Sequence, residues 1–349
     1  MSPLGLALIG CGDIARSAHL PAIASLGGRV RLVAVMDVRR ETAEAVARDW
    51  GAAVCTSLDE ALDHPGVEAA VVCTPEFHHR EAVAAAAARG LHVLCEKPMA
   101  PSLADADVMI EAARRAGTVL MIGHSRRFTG RYMAIHEAVR AGELGEVRLM
   151  RENERRPRPA APRPTGYWGR EHWTGDPARS VGAILTNGIH EADLFNWLVG
   201  STPVRVYAEH RITRPGGAVP DFISFTVRFA SGALAAAEVN NALPPGYPAF
   251  HELELFGTQG AARARDHEMR MVEHFDATGM RAPRVYEHLL HVQHAYAREH
   301  RAFVDSVVRG EPPAVRPEEA RLALAVALAA DQAARTGRPV TLGPDGEGV

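Results

Sequence analysis

The stretch Leu4-Gly-Leu-Ala-Leu-Ile-Gly-Cys-Gly-Asp-Ile-Ala15 limits what this chain can fold into more than any other. A short apolar run ends in Gly10-x-Gly12-x-x-Ala15, and a helical pattern follows through Leu26. That is the order strand, tight turn, helix. Gly10 permits the sharp turn, Gly12 lets the backbone approach a pyrophosphate, and Ala15 keeps helix and strand close. The helix N-terminus then offers unpaired N–H groups and a positive dipole end to the phosphates. On this reading Gly10, Gly12, Asp13, Ile14 and Ala15 line a dinucleotide. Turns of this kind also occur without a nucleotide, so the next strand matters. It spans 31–36 and ends in Asp37, placed to accept a hydrogen bond from a ribose 2′-OH and to repel a 2′-phosphate. NAD is therefore expected. Arg39 and Arg40 would serve a 2′-phosphate, and so NADP, if Asp37 turned away.

With 349 residues the chain is long enough for two domains with a full core each. A net charge of −3 and the lack of any Lys/Arg block argue against nucleic acid as a partner. The four cysteines, Cys11, Cys55, Cys73 and Cys95, sit at or near apolar strand positions without Cys-x-x-Cys spacing. They read as reduced core thiols in a reducing compartment, with no metal site. The start lacks a basic leader region, and no apolar run reaches the ~20 residues of a membrane span. A cytoplasmic protein without a membrane partner is expected.

From Leu4 to about Ile122, strand-like and helix-like segments alternate. Ser57-x-x-Glu60 is a capping box opening a helix, and 67–73 is a continuous apolar run suited to a strand buried on both faces. Alternation of this kind means a doubly wound parallel sheet with right-handed crossovers. Ligands of such sheets lie beyond the strand C-termini, which singles out Thr74-Pro75, Glu96-Lys97-Pro98 and Gly123-His124 beside the first turn. Past residue 124 the rhythm changes. A helix at 128–141 and a strand at 147–154 precede a Pro- and Arg-rich stretch, 155–165, read as a loop. A helix at 183–198 is followed by strands near 204–212, 222–229, 233–240 and 251–256, and two long helices, 287–309 and 317–336, close the chain. The expected fold class is α/β. Residues 1–124 form the dinucleotide-binding domain, and 125–349 form an α/β domain with a large open, mainly antiparallel sheet.

A Lys at a strand C-terminus beside a nicotinamide can hydrogen-bond a substrate oxygen and stabilise a developing alkoxide. Gly10-x-Gly12-x-x-Ala15, Asp37, Thr74-Pro75-x-x-x-His79 and Glu96-Lys97-Pro98 occur in this order. Ser125-Arg126-Arg127-Phe128, Gly188-Ile189-His190-Glu191-Ala192-Asp193-Leu194, Phe256-Gly257-Thr258-Gln259-Gly260 and Thr336-Gly337-Arg338-Pro339-Val340 follow. As a set they closely resemble the glucose-fructose oxidoreductase / inositol dehydrogenase / rhizopine catabolism protein (Gfo/Idh/MocA) family over nearly the whole chain. The resemblance implies a Rossmann domain that binds NAD(P) through the first turn, Asp37, Thr74, Pro75, His79, Glu96 and Lys97. It implies a second domain whose open sheet forms a homodimer or homotetramer face, and substrates among sugars, cyclitols and their derivatives. It also implies a cis peptide before Pro98, and Lys97 and His190 as the catalytic pair.

In the family an Asp stands four residues before that His; here the position holds Thr186, and Asn187 is one residue out of register. Thr186 or Asn187 would hold a substrate hydroxyl, and Asp193 is the nearest replacement carboxylate in sequence, or else a helix-internal polar partner. Arg126 and Arg127 are candidate substrate contacts, with solvated helix-start charges as the alternative. Trp168 and Trp173, within Tyr167-Trp168-Gly-Arg170-Glu-His172-Trp173, suit a wall stacked on a sugar ring, or a loop packed on the core. The Arg155–Arg163 run reads as a solvated loop, and His288-x-x-His291-x-x-His294 as an exposed stripe rather than a zinc site.

The expected activity is hydride transfer between nicotinamide and a carbinol or ketone carbon. Two alternatives stay open: glycoside processing through transient oxidation with NAD retained, and a non-catalytic NAD-binding regulator.

Overall fold

The protein is described by a computed structural model that covers residues 2–157, 172–244, 246–265, 271–276, 279–285, 291–343, 346 and 348. The chain divides into two compact units, Met1–Thr129 with Leu289–Arg321 and Gly130–His288 with Leu322–Val349. The single boundary drawn at 124/125 from sequence thus meets a chain that returns to its first unit near its end.

The first unit holds a parallel sheet of β1 (Leu4–Ile9), β2 (Val30–Met36), β3 (Ala53–Cys55), β4 (Ala69–Val72), β5 (His92–Glu96) and β6 (Leu120–Gly123). Their order is β3-β2-β1-β4-β5-β6, the doubly wound order whose switch point falls between β1 and β4. Every residue of β1, β4 and β6 is buried, which is why these strands read as unbroken apolar runs. The crossover helices end as the sequence indicates. Ser57 caps α3 (Leu58–Leu62) in a reciprocal box with Glu60; α2 (Arg40–Trp50) and α5 (Leu103–Ala116) stop at left-handed Gly51 and Gly117. A π-helical turn, Ala15–His19, leads into α1 (Leu20–Ser25). The late helix α8 (His291–Arg309) supplies Tyr296 to a buried cluster with Ala18 and Ala22, with Ile14 packed against it. All four cysteines are buried and unpaired.

The second unit is built on β7 (Val147–Pro157), β8 (Pro203–Arg211), β9 (Phe222–Phe229), β10 (Leu234–Leu243), β11 (Phe250–Gly257), β12 (Gly260–Arg265), β13 (Met271–Asp276), β14 (Gly279–Val285) and β15 (Val340–Thr341). The sheet order is β14-β13-β12-β11-β7-β10-β9-β8-β15. β7 and β10 are parallel and the other pairs antiparallel. β9 and β10 alternate buried and less buried positions, so one face is core and the other open. On the core side Phe195 of α7 (Ile189–Val199) meets Phe225 with ring centroids 5.9 Å apart. His136 of α6 (Gly130–Arg140) stacks on Trp197 at 3.9 Å.

Two sequence expectations change here. Residues 155–157 are strand, not loop, because Arg155 pairs with Asn240 on one side and Phe250 on the other in the middle of the sheet. The helix expected over 183–198 is a π-helical turn, Ile184–Gly188, followed by α7.

Gly5 of β1 lies so close to the loop before β4 that the Gly66 carbonyl oxygen is 1.8 Å from where a Gly5 Cβ would sit. Gly5→Ala must move that loop, and we expect a loss of ~2–3 kcal/mol, measured by urea denaturation.

Candidate active site

The C-terminal ends of the parallel strands carry the first group of candidate residues. Gly10 has φ +91°, and a Cβ on it would lie 3.0 Å from the Cys73 carbonyl and the Thr74 nitrogen; here glycine is demanded by the protein itself. Gly12 differs, since a Cβ there would meet nothing within 4 Å. Its Cα borders open space over the start of the helix, the room a diphosphate needs. Ala15 is fully buried, whereas Asp13 is exposed and lies 3.9 Å from Arg16. Asp37 is fixed from both sides: Cys11 N–H donates to Oδ2 at 3.1 Å and Arg39 N–H to Oδ1 at 3.0 Å. Its negative charge therefore stays beside the glycine turn, and Arg39 Nε approaches it to 3.8 Å. The hydroxyl of Thr74 is buried and has no hydrogen-bond partner among the described residues. Open space at Gly12, the pinned Asp37 and this orphaned hydroxyl fit a dinucleotide lying across the switch point.

Two residues expected at the cofactor, His79 and Glu96, are buried. His79 is 1% exposed. Its Nε2 is 2.8 Å from the Thr74 carbonyl oxygen and its Nδ1 is 3.0 Å from that of Pro98. It therefore ties the turn after β4 to the turn after β5. The Glu96 carboxylate accepts from His19 Nε2 (2.9 Å), Tyr296 Oη (3.0 Å) and Lys97 N–H (3.0 Å). Lys97 follows, with a cis bond to Pro98. Among the 39 basic Lys and Arg residues of the chain, Lys97 is the sole lysine. Thirty-eight cationic positions accept arginine; the position after β5 has an amine.

Glu76, beside Pro75, is nearly buried and was not singled out by sequence. Burial is the main cause that pushes its carboxyl up to about 7, against a smaller downward pull from its own backbone N–H and from the Lys97 charge. In the 3₁₀ turn Ser125–Phe128, Arg126 and Arg127 are buried rather than solvated. Arg127 Nη1 donates to Glu319 at 2.6 Å, so its guanidinium braces the helix α9 (Pro317–Thr336).

In the second unit the π turn and α7 carry the remaining candidates. Thr186 Oγ1 donates to the Gly182 carbonyl at 3.1 Å. The amide of Asn187 is turned to the sheet, with Nδ2 donating to Glu154 at 3.0 Å and Oδ1 accepting from Asn241 at 3.0 Å. Arg156 also reaches Glu154. His190 stands at the start of α7, 8% exposed, and Asp193 is buried three residues on. Trp173 opens a short 3₁₀ turn, Trp173–Gly175; Trp168 lies outside the described residues, as does His288 of the histidine stripe. Among the described residues no group of three or more His, Cys, Asp or Glu could hold a metal ion. No described helix is long and apolar enough to cross a membrane.

Sequence reasoning missed the inward acids of β7. Met150, Glu152 and Glu154 are all fully buried on one face, and the period-two spacing that marks Met150 as core also marks both carboxylates.

Fold and first-unit geometry together define a dinucleotide-dependent enzyme of the Rossmann class. Residues 4–124 match the model described as an oxidoreductase family with NAD-binding Rossmann fold, and residues 132–263 match the GFO/IDH/MocA C-terminal domain. The chain belongs to the Gfo/Idh/MocA oxidoreductase family. It is 31% identical to a myo-inositol 2-dehydrogenase of Thermotoga maritima over 89% of this chain and 91% of that protein. It is 33% identical to an inositol 2-dehydrogenase of Streptomyces avermitilis, over 97% and 94% respectively. The crystal structure of GenD2 from gentamicin A biosynthesis, in complex with NAD, superposes with a TM-score of 0.84 at 28% identity, covering 98% of this chain and 97% of that one.

Burial of Glu76 gives stability a pH dependence. Folding favours its protonated form, so the contribution is complete below the ordinary value of 4.5 and is lost as pH rises through about 7. We expect unfolding free energy to fall by as much as ~3 kcal/mol across that window on account of this group, and Glu76→Gln to abolish that part of the fall in urea titrations.

Proposed function

We propose that the protein is an NAD-dependent dehydrogenase or reductase acting on the carbinol carbon of a cyclitol, sugar or sugar derivative. Bound nicotinamide supplies the hydride acceptor or donor. The observation that carries the reading is the sole lysine, held at the strand end beside the switch point and preceded by a fixed carboxylate. The Lys97 ammonium hydrogen-bonds the reacting oxygen and stabilises the charge that develops there. His190 takes the hydroxyl proton in oxidation and returns it in reduction. Thr186 stands in place of an acid, and its hydroxyl is donated to the Gly182 carbonyl. Asp37, pinned by two backbone N–H groups, favours NAD over NADP. The inositol dehydrogenases among the relatives put cyclitols first in a substrate panel.

The open face of the second sheet supports a homo-oligomer. Phe256, Leu149 and Leu234 lie directly opposite one another across β11, β7 and β10 and are each more than 40% exposed. A contiguous apolar patch of this kind marks an interface between subunits. The four buried thiols suit a reducing, cytoplasmic setting.

Inositols, sugars and nucleotide sugars assayed with NAD and NADH in both directions identify the substrate and the cofactor. Against that substrate, Lys97→Ala is expected to leave NADH affinity within about threefold and to cut turnover by ~10²–10³; unchanged turnover removes Lys97 from the mechanism. A bulk change in nicotinamide absorbance separates net dehydrogenation from transient oxidation, and total inactivity over the panel favours a regulator. Phe256→Asp is expected to shift the sedimentation velocity profile towards monomer, with the far-UV spectrum unchanged.

A further inference from the structure

Beneath the strand ends of the first unit lies a second polar cluster that the proposed chemistry does not use. Glu96 Oε1 accepts from His19 Nε2 and from Tyr296 Oη, while Oε2 accepts from the Lys97 N–H. His19 Nδ1 is 2.8 Å from His300 Nε2. With His19 Nε2 donating to Glu96, the contact between His19 Nδ1 and His300 Nε2 is closed by whichever of the two nitrogens carries the proton. His19, Glu299 and His300 are fully buried, and Tyr296 and Glu96 are 5% exposed. Three separate parts of the chain therefore converge on one carboxylate: the helix after the glycine turn, the end of β5, and α8.

Only one acid in this cluster carries charge. Burial works against ionisation of Glu96, but the His19 hydrogen bond and charge, the Lys97 charge and the Tyr296 hydroxyl together hold its carboxyl below the usual range. Glu299 is pushed well above that range by burial and by the Glu96 charge, so it is the neutral acid. His300 is neutral too, through burial first and His19 second. Burying a lone anion at this depth costs several kcal/mol unless it is paired, and its cationic neighbour in sequence is the sole lysine.

We propose that Glu96 is a positioning residue: its buried carboxylate, locked by His19 and Tyr296, fixes the Lys97 backbone and is the counter-charge that keeps the Lys97 amine protonated. This rests on the reading of Lys97 given above, and extends it to a network reaching the far end of the chain. The other titratable groups around this pair are Glu76 after β4, His79 on the helix α4 (His79–Ala88), Cys73 and Cys95 in the strand ends, His124 after β6, and Tyr296, Glu299 and His300 on α8. Cys73, Cys95 and Tyr296 are raised by burial and by the Glu96 charge, and burial lowers His79. Glu76 is pushed up to about 7, chiefly by burial.

The sole lysine makes the test direct. Full-length protein grown on ε-¹³C-lysine and saturated with NADH gives one side-chain resonance, and its titration reports the ammonium without any substrate. Glu96→Gln, folded by circular dichroism, is expected to lower that midpoint by at least about one pH unit; a midpoint within 0.3 of wild type overturns the counter-charge. Glu96→Asp restores the charge but cannot span three donors. It is expected to keep the midpoint within about 0.5 unit while turnover falls about tenfold, with NADH affinity unchanged. Wild-type turnover in the Asp variant overturns the positioning role, and a midpoint that falls by about one unit or more in the Asp variant overturns the charge role even if the Gln variant does not fold. The resonance measurement stands whether or not any polyol is turned over, so its failure is distinct from failure of the proposed activity.

Discussion

The turn after β1 can exist only because its backbone presses directly on the turn after β4. Gly10 sits 3.0 Å, at its missing Cβ, from the Cys73–Thr74 peptide, and its own N–H donates to the Met36 carbonyl at 2.8 Å. The ends of β2, β1 and β4 are thereby drawn to one place. The residues that follow each strand inherit that closeness: Asp37 reaches the Cys11 N–H, and Thr74 offers its carbonyl to His79. His79 passes the constraint on to the Pro98 carbonyl. A steric condition at one glycine thus propagates through two histidine contacts to the position of the lysine. Little of this depends on the side chains that would touch a ligand, which is how one scaffold serves many chemistries.

The two units handle polar groups in opposite ways. In the first, buried ionisable residues gather under the strand ends and are joined into a hydrogen-bonded chain. In the second, acids are carried into the core on strand β7 and met by neutral or cationic partners. Tyr132 donates to Glu152 at 2.5 Å and Asn187 to Glu154 at 3.0 Å. Buried carboxylates are tolerated only where such partners are built in, and here they come from α6 and the π turn. The π-helical turns themselves fall at Ala15–His19 and Ile184–Gly188, immediately around the two segments singled out for function. A widened turn re-aims side chains without ending a helix. In one case it delivers His19 to Glu96 and in the other Asn187 to Glu154.

What could be read from sequence was what depends on local pattern. The apolar runs of β1 and β4, the capping box at Ser57, the glycine stops and the strand-end residues all follow from neighbouring residues. What could not be read was set by distant partners. The inward turn of His79 and Glu96 depends on Pro98, His19 and Tyr296. The strand character of Arg155–Pro157 depends on β10 and β11 lying to either side, and it overrides a Pro- and Arg-rich composition that locally signals a loop. The engagement of Arg127 with Glu319 spans 192 residues, beyond the reach of any windowed pattern.

The return of α8 to the first unit bears on how such a gene can be cut and rejoined. A fragment ending at Thr129 contains every glycine-turn and strand-end motif, yet it lacks Tyr296 and His300 and would leave Glu96 and His19 facing water. Exchange of the nucleotide-binding half between relatives therefore takes three junctions, one near residue 130 and a pair flanking 289–321. A single crossover would join the Glu96 carboxylate of one parent to the hydroxyl and imidazole of another. The late helix and the early strand end are thus parts of one buried hydrogen-bonded unit.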